Sequence, residues 1–170
     1  MAEDKRGRGL LKLLKVNTIQ MKFFLFLFAF ALSVSTHAQN EDPVDWSFSA
    51  KKINATTYEI HLTANIEKDW HIYSQTTPDG GPVATAITFN KNPLVKLSGK
   101  VKEVGKLEQH FEELFDVQVK QFSNQVDFVQ TVTVKPGIKT VIAGSVEYMA
   151  CTERNCLPPR TQKFSLQISK

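Results

Sequence analysis

The chain has 170 residues, enough for one ordinary domain and too few for two of normal size. Hydrophobic residues make up 42% and charged residues 22%, proportions that exclude wholesale disorder. The net charge of +4 arises in residues 1–38, which hold six basic and two acidic side chains, whereas residues 39–170 hold fifteen of each. A neutral body without a basic stripe argues against nucleic acid as a partner.

The first predicted element is an export signal. Phe23–Val34 is an uncharged apolar run, and it is too short to cross a bilayer because a spanning helix needs about 20 apolar residues. Lys22 precedes the run and Ala38 follows it, which is the arrangement of a signal peptide with its cleavage site. We therefore expect residues 1–38 to be a signal peptide, with an upstream extension if translation starts at Met21, and the mature chain not to span a membrane. An uncleaved anchor is the alternative.

The mature chain, residues 39–170, is predicted to be a single domain of short β-strands. In five segments apolar residues recur with a period of two, which is typical of strands buried on one face. These segments lie at Trp46–Phe48, Tyr58–Ile66, Val126–Val134, Ile142–Tyr148 and Phe164–Ile168. Turn-forming residues separate them, and no long helical pattern intervenes. The pattern predicts an all-β antiparallel sandwich.

One segment, Leu107–Leu114, does not follow the strand pattern. Its glutamates and phenylalanines are compatible with a helical turn and equally with a structured loop.

The chain contains two cysteines, Cys151 and Cys156, with four residues between them and Leu157-Pro158-Pro159 after them. In an exported protein such a pair is usually oxidised. A structural staple is one interpretation, although a loop this small contributes only about 2 kcal/mol. A redox-active pair is the other, because exposed disulfides in short loops exchange readily. Zinc is disfavoured, since a structural site needs four ligands and the histidines show no ligand spacing. The spacing alone leaves the first two interpretations open.

Two segments carry a family resemblance. Residues 146–159, VEYMACTERNCLPP, contain a strand ending in an aromatic residue, a cysteine, a short polar loop and then Cys-x-Pro-Pro. Residues 68–74, KDWHIYS, form an aromatic stretch expected on an early strand. Together they resemble the amino-terminal periplasmic domain of DsbD, the thiol:disulfide interchange protein. The resemblance covers roughly residues 42–168, most of the mature chain.

This resemblance implies an immunoglobulin-like β-sandwich with the cysteine pair at an exposed edge. It implies protein-disulfide reductase activity in which Cys156 attacks a partner disulfide, Cys151 resolves the mixed disulfide, and no cofactor takes part. In the family a thioredoxin-like domain reduces the pair, which then reduces disulfides of periplasmic proteins. We accordingly expect a periplasmic bacterial protein with thioredoxin-like partners.

The resemblance also implies a loop that shields the cysteine pair. His110–Phe115 is its expected counterpart in this chain. Phe111 and Phe115 are candidate shielding residues, and Tyr73 and Glu113 are candidates for shielding or for proton exchange near the sulfurs. The alternative is that Tyr73 only packs in the core or at its rim and that Glu113 is a solvated residue of an acidic loop.

Two features depart from the family pattern. The loop between the cysteines has four residues, whereas the best-known family members have five. The sequence also ends at Lys170, directly after this domain, so we expect a separate membrane reductant to supply electrons. The alternative function is an exported sandwich that serves as a binding or scaffolding module, with an inert disulfide.

Overall fold

The computed structural model describes residues 42–113 and 116–168. These residues contain nine β-strands and no helix. The strands are β1 Val44–Lys52, β2 Thr57–Ile66, β3 His71–Tyr73, β4 Ala86–Phe89, β5 Val95–Glu112, β6 Val117–Val134, β7 Thr140–Tyr148, β8 Ala150–Cys151 and β9 Arg160–Ile168. Within these ranges no helix is long and apolar enough to cross a membrane. The predicted signal peptide, residues 1–38, and the candidate Phe115 lie outside the described residues.

The strands form two antiparallel sheets that enclose one core. The larger sheet has the order β1-β2-β6-β3-β8, and β5 pairs with β6 as well. The smaller sheet has the order β4-β7-β9. Buried side chains from both sheets pack together between them. The predicted all-β antiparallel sandwich is therefore confirmed, and all five predicted strand segments lie in strands.

Aromatic residues join the two sheets across this core. Trp46 of β1 lies 6.0 Å from Phe128 of β6 and 5.2 Å from Tyr148 of β7, measured between ring centroids. Phe48 of β1 similarly lies 5.5 Å from Phe164 of β9. Because buried aromatic side chains contribute large apolar areas, these contacts fix β7 and β9 against the larger sheet. That anchoring matters because the cysteines lie between β7 and β9.

The interpretation of Leu107–Leu114 as a helical turn or loop is wrong for residues 107–112, which lie in a strand. Leu107–Glu112 belong to β5 and pair with Val117–Phe122 of β6 in a long hairpin. Glu113 begins the turn of that hairpin. Most of β5 is exposed, so it lacks the alternation of buried and exposed residues by which strands are recognised in sequence.

Candidate functional site

The two cysteines lie on a connection that leaves one sheet and joins the other. β7 ends at Tyr148 and β9 begins at Arg160, and these residues are paired in the smaller sheet. Between them the chain forms β8, which pairs with β3 of the larger sheet so that Cys151 lies opposite His71. The connection therefore bridges the two sheets at one edge of the sandwich.

A single carboxylate holds both ends of this connection. The Tyr148 hydroxyl donates a hydrogen bond to Asp42, and the Arg160 guanidinium nitrogen lies 3.1 Å from the same Asp42 oxygen. Burial of Tyr148, together with its bond to Asp42, raises the pKa of the phenol. Asp42, Tyr148 and Arg160, here called the Asp42 clasp, give the cysteine-bearing connection a fixed base.

The loop between the cysteines is closed by its own backbone. The Thr152 N–H donates to the Asn155 carbonyl oxygen over 2.8 Å, and the Leu157 N–H donates to the Ala150 carbonyl oxygen over 2.9 Å. The Thr152 hydroxyl oxygen also accepts bonds from the N–H groups of Arg154 and Asn155. These bonds close the hairpin without any contribution from sulfur, so the disulfide adds little as a staple.

Cys151 and Cys156 form a disulfide, with a Cα–Cα distance of 4.1 Å. The two halves differ sharply in exposure. Cys151 is 0% exposed and packs with Tyr73 and Val119 in a small apolar cluster, whereas Cys156 is exposed. An approaching protein therefore meets Cys156 first.

The disulfide borders an open cleft of about 1000 Å³. Its walls come from β3, the far end of the β5–β6 hairpin and the cysteine loop, and Cys156 is one of its lining residues. Phe111 and Glu113, two of the candidate shielding residues, also line the cleft. Phe111 is 50% exposed at the rim, and Glu113 is exposed at the hairpin turn. Cys156 thus lies at a solvent-accessible cleft that is lined by three separate parts of the fold.

Tyr73, the third candidate that the structure describes, lies in the cleft wall beside the buried sulfur. It is 3% exposed and packs in the same cluster as Cys151. Burial, and to a smaller extent the charge of Glu112, raises the pKa of Tyr73 to about 12. The phenol therefore keeps its proton at neutral pH, which favours a shielding role over proton exchange.

His71 is a residue of the site that sequence reasoning missed. It is the cross-strand partner of Cys151, and its Nε2 is hydrogen-bonded to the Tyr73 hydroxyl over 3.1 Å. Burial, and then the neighbouring His110, lowers the pKa of His71, while Glu112 acts in the opposite direction. The sequence signal was present in the alternation of His71 and Tyr73, which places both side chains on one face of β3.

The described residues contain no group of three or more His, Cys, Asp or Glu side chains placed to hold a metal ion.

The chain matches a family model described as "Thiol:disulfide interchange protein DsbD, N-terminal" over residues 36–168. No curated protein matches it. Among solved structures, it is similar to the N-terminal periplasmic domain of ScsB from Proteus mirabilis, with a TM-score of 0.52 and 16% identity. That similarity covers 77% of this chain and 48% of the ScsB chain, so this chain spans about half of that relative.

Two structures from Neisseria meningitidis are more distant. The reduced DsbD n-terminal domain gives a TM-score of 0.47 at 13% identity, over 74% of this chain and 86% of that chain. A complex between the DsbD N-terminal and PilB N-terminal domains gives 0.44 at 12% identity, over 71% and 80%. At these identities the structural likenesses concern the fold alone.

Proposed function

Since the chain belongs to the family of DsbD N-terminal thiol:disulfide interchange domains, which have an immunoglobulin-like β-sandwich, we propose that it exchanges disulfides with partner proteins through Cys151 and Cys156. The observation that carries this proposal is the unequal exposure of the two cysteines beside an open cleft. Cys156 is an exposed residue of the cleft, and Cys151, to which it is bonded, is buried.

The proposed reaction begins with the reduced protein. The Cys156 thiolate attacks a partner disulfide, a new S–S bond joins the two proteins, and one partner sulfur leaves as a thiolate. The Cys151 thiolate then attacks the Cys156 sulfur and releases the second partner sulfur. The protein loses two electrons and becomes the disulfide, while the partner gains two electrons and becomes a dithiol. A reduced thioredoxin-like protein restores the dithiol by the reverse sequence.

The main alternative is an inert staple in a binding or scaffolding module. A disulfide that closes so short a loop contributes about 2 kcal/mol at most. The backbone bonds within the loop and the Asp42 clasp already hold this connection in place. A staple does not need an exposed cysteine in a cleft wall, whereas exchange requires one that a partner can approach.

The partners we propose are thioredoxin-like periplasmic proteins, with a membrane reductant as the source of electrons. The cleft is open enough for part of a docked protein to reach Cys156. Membership of a family whose domains act in the periplasm supports the same location for this chain.

To test exchange, the reduced protein is mixed with oxidised thioredoxin and, separately, with glutathione disulfide, and each transfer is followed by stopped flow. We expect faster transfer to thioredoxin, because the recessed cleft favours a surface that docks over a small disulfide that collides at random. The Cys151→Ala/Cys156→Ala variant should keep its fold, lose about 2 kcal/mol at most, and transfer nothing. Rates to thioredoxin no better than to glutathione disulfide would leave the staple interpretation standing.

We also propose that residues 1–38 are removed on export, so that the mature chain begins near Gln39. The apolar run before Ala38 and its flanking lysine motivate this proposal. Intact-mass measurement on the protein recovered from the periplasm should give the mass of residues 39–170. A mass equal to that of the full chain would show an uncleaved anchor instead.

A further inference from the structure

The cleft beside Cys156 carries an excess of negative charge. Lys68 and Arg154 are the lysine and arginine among its lining residues. The opposing carboxylates, here called the carboxylate rim, are Asp69, Glu108, Glu112, Glu113 and Glu153. With neutral histidines, the net charge of the lining residues is therefore −3. It is −2 if Lys106 is included, whose Nζ lies 3.4 Å from a carboxylate oxygen of Glu108.

The carboxylate rim surrounds the cleft rather than forming a patch on one strand. Asp69 precedes β3, two glutamates lie in the last part of β5 and a third in the turn that follows, and Glu153 lies in the cysteine loop. The Glu108 and Glu112 side chains are 35% and 34% exposed, so both remain solvated. Because residues 39–170 carry equal numbers of acidic and basic side chains, the negative charge of the cleft is a local feature.

Resting on the proposed function, we infer that the carboxylate rim selects the electrostatic class of disulfide that Cys156 attacks. It favours partner proteins whose surface around the reactive disulfide is basic, and it disfavours anionic disulfides such as oxidised glutathione. The cysteine pair defines the site, and the rim sets its specificity. Charge of one sign around a concave site raises the local concentration and the association rate of oppositely charged ligands by about tenfold or more.

Small disulfides of different charge isolate this effect from protein docking. The probes are oxidised glutathione, which is anionic, bis(2-hydroxyethyl) disulfide, which is neutral, and cystamine, which is cationic. With each probe, the Cys156 thiolate attacks one sulfur and releases one thiol, and Cys151 releases the second. The protein dithiol becomes the disulfide, and the probe becomes two thiols.

Each rate is divided by the rate at which dithiothreitol reduces the same probe, which removes differences in intrinsic reactivity. We expect the normalised rates to fall in the order cystamine, bis(2-hydroxyethyl) disulfide, oxidised glutathione. The first should exceed the last by about tenfold or more at low ionic strength. Salt at 1 M, where the Debye length is about 3 Å, should remove most of the difference.

Substitutions in the carboxylate rim test whether the rim causes the dependence of the exchange rate on probe charge. The Glu108→Gln/Glu112→Gln variant should lower the ratio of the cystamine rate to the glutathione rate several-fold. Any change that these substitutions cause in the thiol pKa acts equally on all three probes and cancels in the ratio. Glu147→Gln, at an exposed position of β7 in the smaller sheet, is the matched control and should leave the ratio unchanged.

The outcomes separate this inference from the function on which it rests. Exchange with all three probes at equal normalised rates, or an equal ratio in the rim variant and the wild type, would overturn the role of the rim alone. Exchange with oxidised thioredoxin but with none of the probes would likewise overturn the role of the rim alone, whereas exchange with neither thioredoxin nor any probe would overturn the proposed function and the inference with it.

Discussion

We expect Cys156→Ser to abolish thiol-disulfide exchange and Cys151→Ser to arrest it at a covalent complex with the partner. The asymmetry follows from exposure, because Cys156 lines the cleft while Cys151 is fully buried. A partner disulfide can reach the first sulfur and not the second, so the Cys156→Ser variant has no accessible nucleophile. In the Cys151→Ser variant attack proceeds, but no second thiolate releases the partner.

The measurement is mass spectrometry of non-reduced mixtures of each variant with oxidised thioredoxin. We expect the mixed disulfide to accumulate with Cys151→Ser, and to be absent with Cys156→Ser and with the double alanine variant. A reductant should cleave the mixed disulfide and separate the two proteins, which distinguishes the complex from an aggregate. Equal trapping by the two single variants would show that the buried sulfur is reachable and that the assignment of roles is wrong.

The strands that could be predicted from the sequence are those in which apolar residues alternate with polar ones and the apolar face is buried. β2 and β7 alternate strictly because one face of each lies in the core, and their periodicity was visible. β5 is exposed along most of its length and pairs with β6 by backbone bonds that any sequence can make, so no side-chain pattern marks it. Such a strand is specified by its partner rather than by its own residues.

The same distinction applies to the site. The two cysteines are near neighbours in sequence, so their pairing could be predicted from the chain alone. The placement of His71 opposite Cys151 depends on the pairing of β3 with β8, two short strands far apart in sequence. The Asp42 clasp likewise joins residues separated by more than a hundred positions. Contacts between residues so far apart in the sequence can be predicted only once the fold is known.

We expect the free energy of unfolding to fall as the pH rises above 10, and we assign part of this loss to Tyr73. Burial raises the pKa of Tyr73 from 10.0 to about 12, so the neutral phenol is favoured when the protein is folded. Above pH 10 the unfolded chain loses this proton while the folded protein keeps it, which favours unfolding. The stabilisation is fully present below pH 10 and is lost progressively until about pH 12. At 1.36 kcal/mol for each unit between the two pKa values, the full loss is about 3 kcal/mol.

Tyr73→Phe separates this contribution from other alkaline effects. The substitution keeps the ring but removes the hydroxyl bonded to His71, so at neutral pH it should cost about 1 kcal/mol. Near pH 12 the wild type has lost most of the Tyr73 contribution and the variant has nothing to lose, so their order of stability should reverse. Urea unfolding of both proteins across this pH range provides the measurement.

Tyr148→Phe serves as a second variant, because burial and the bond to Asp42 also raise the pKa of that phenol. This variant should also lose less stability at alkaline pH than the wild type. Because it removes the hydrogen bond to Asp42, it should have a lower free energy of unfolding at neutral pH. Parallel curves for Tyr73→Phe and the wild type would show that the phenol ionises as it does in water. A crossing would show that Tyr73 keeps its raised pKa in solution, as expected if the wall in which it packs with the buried Cys151 excludes water.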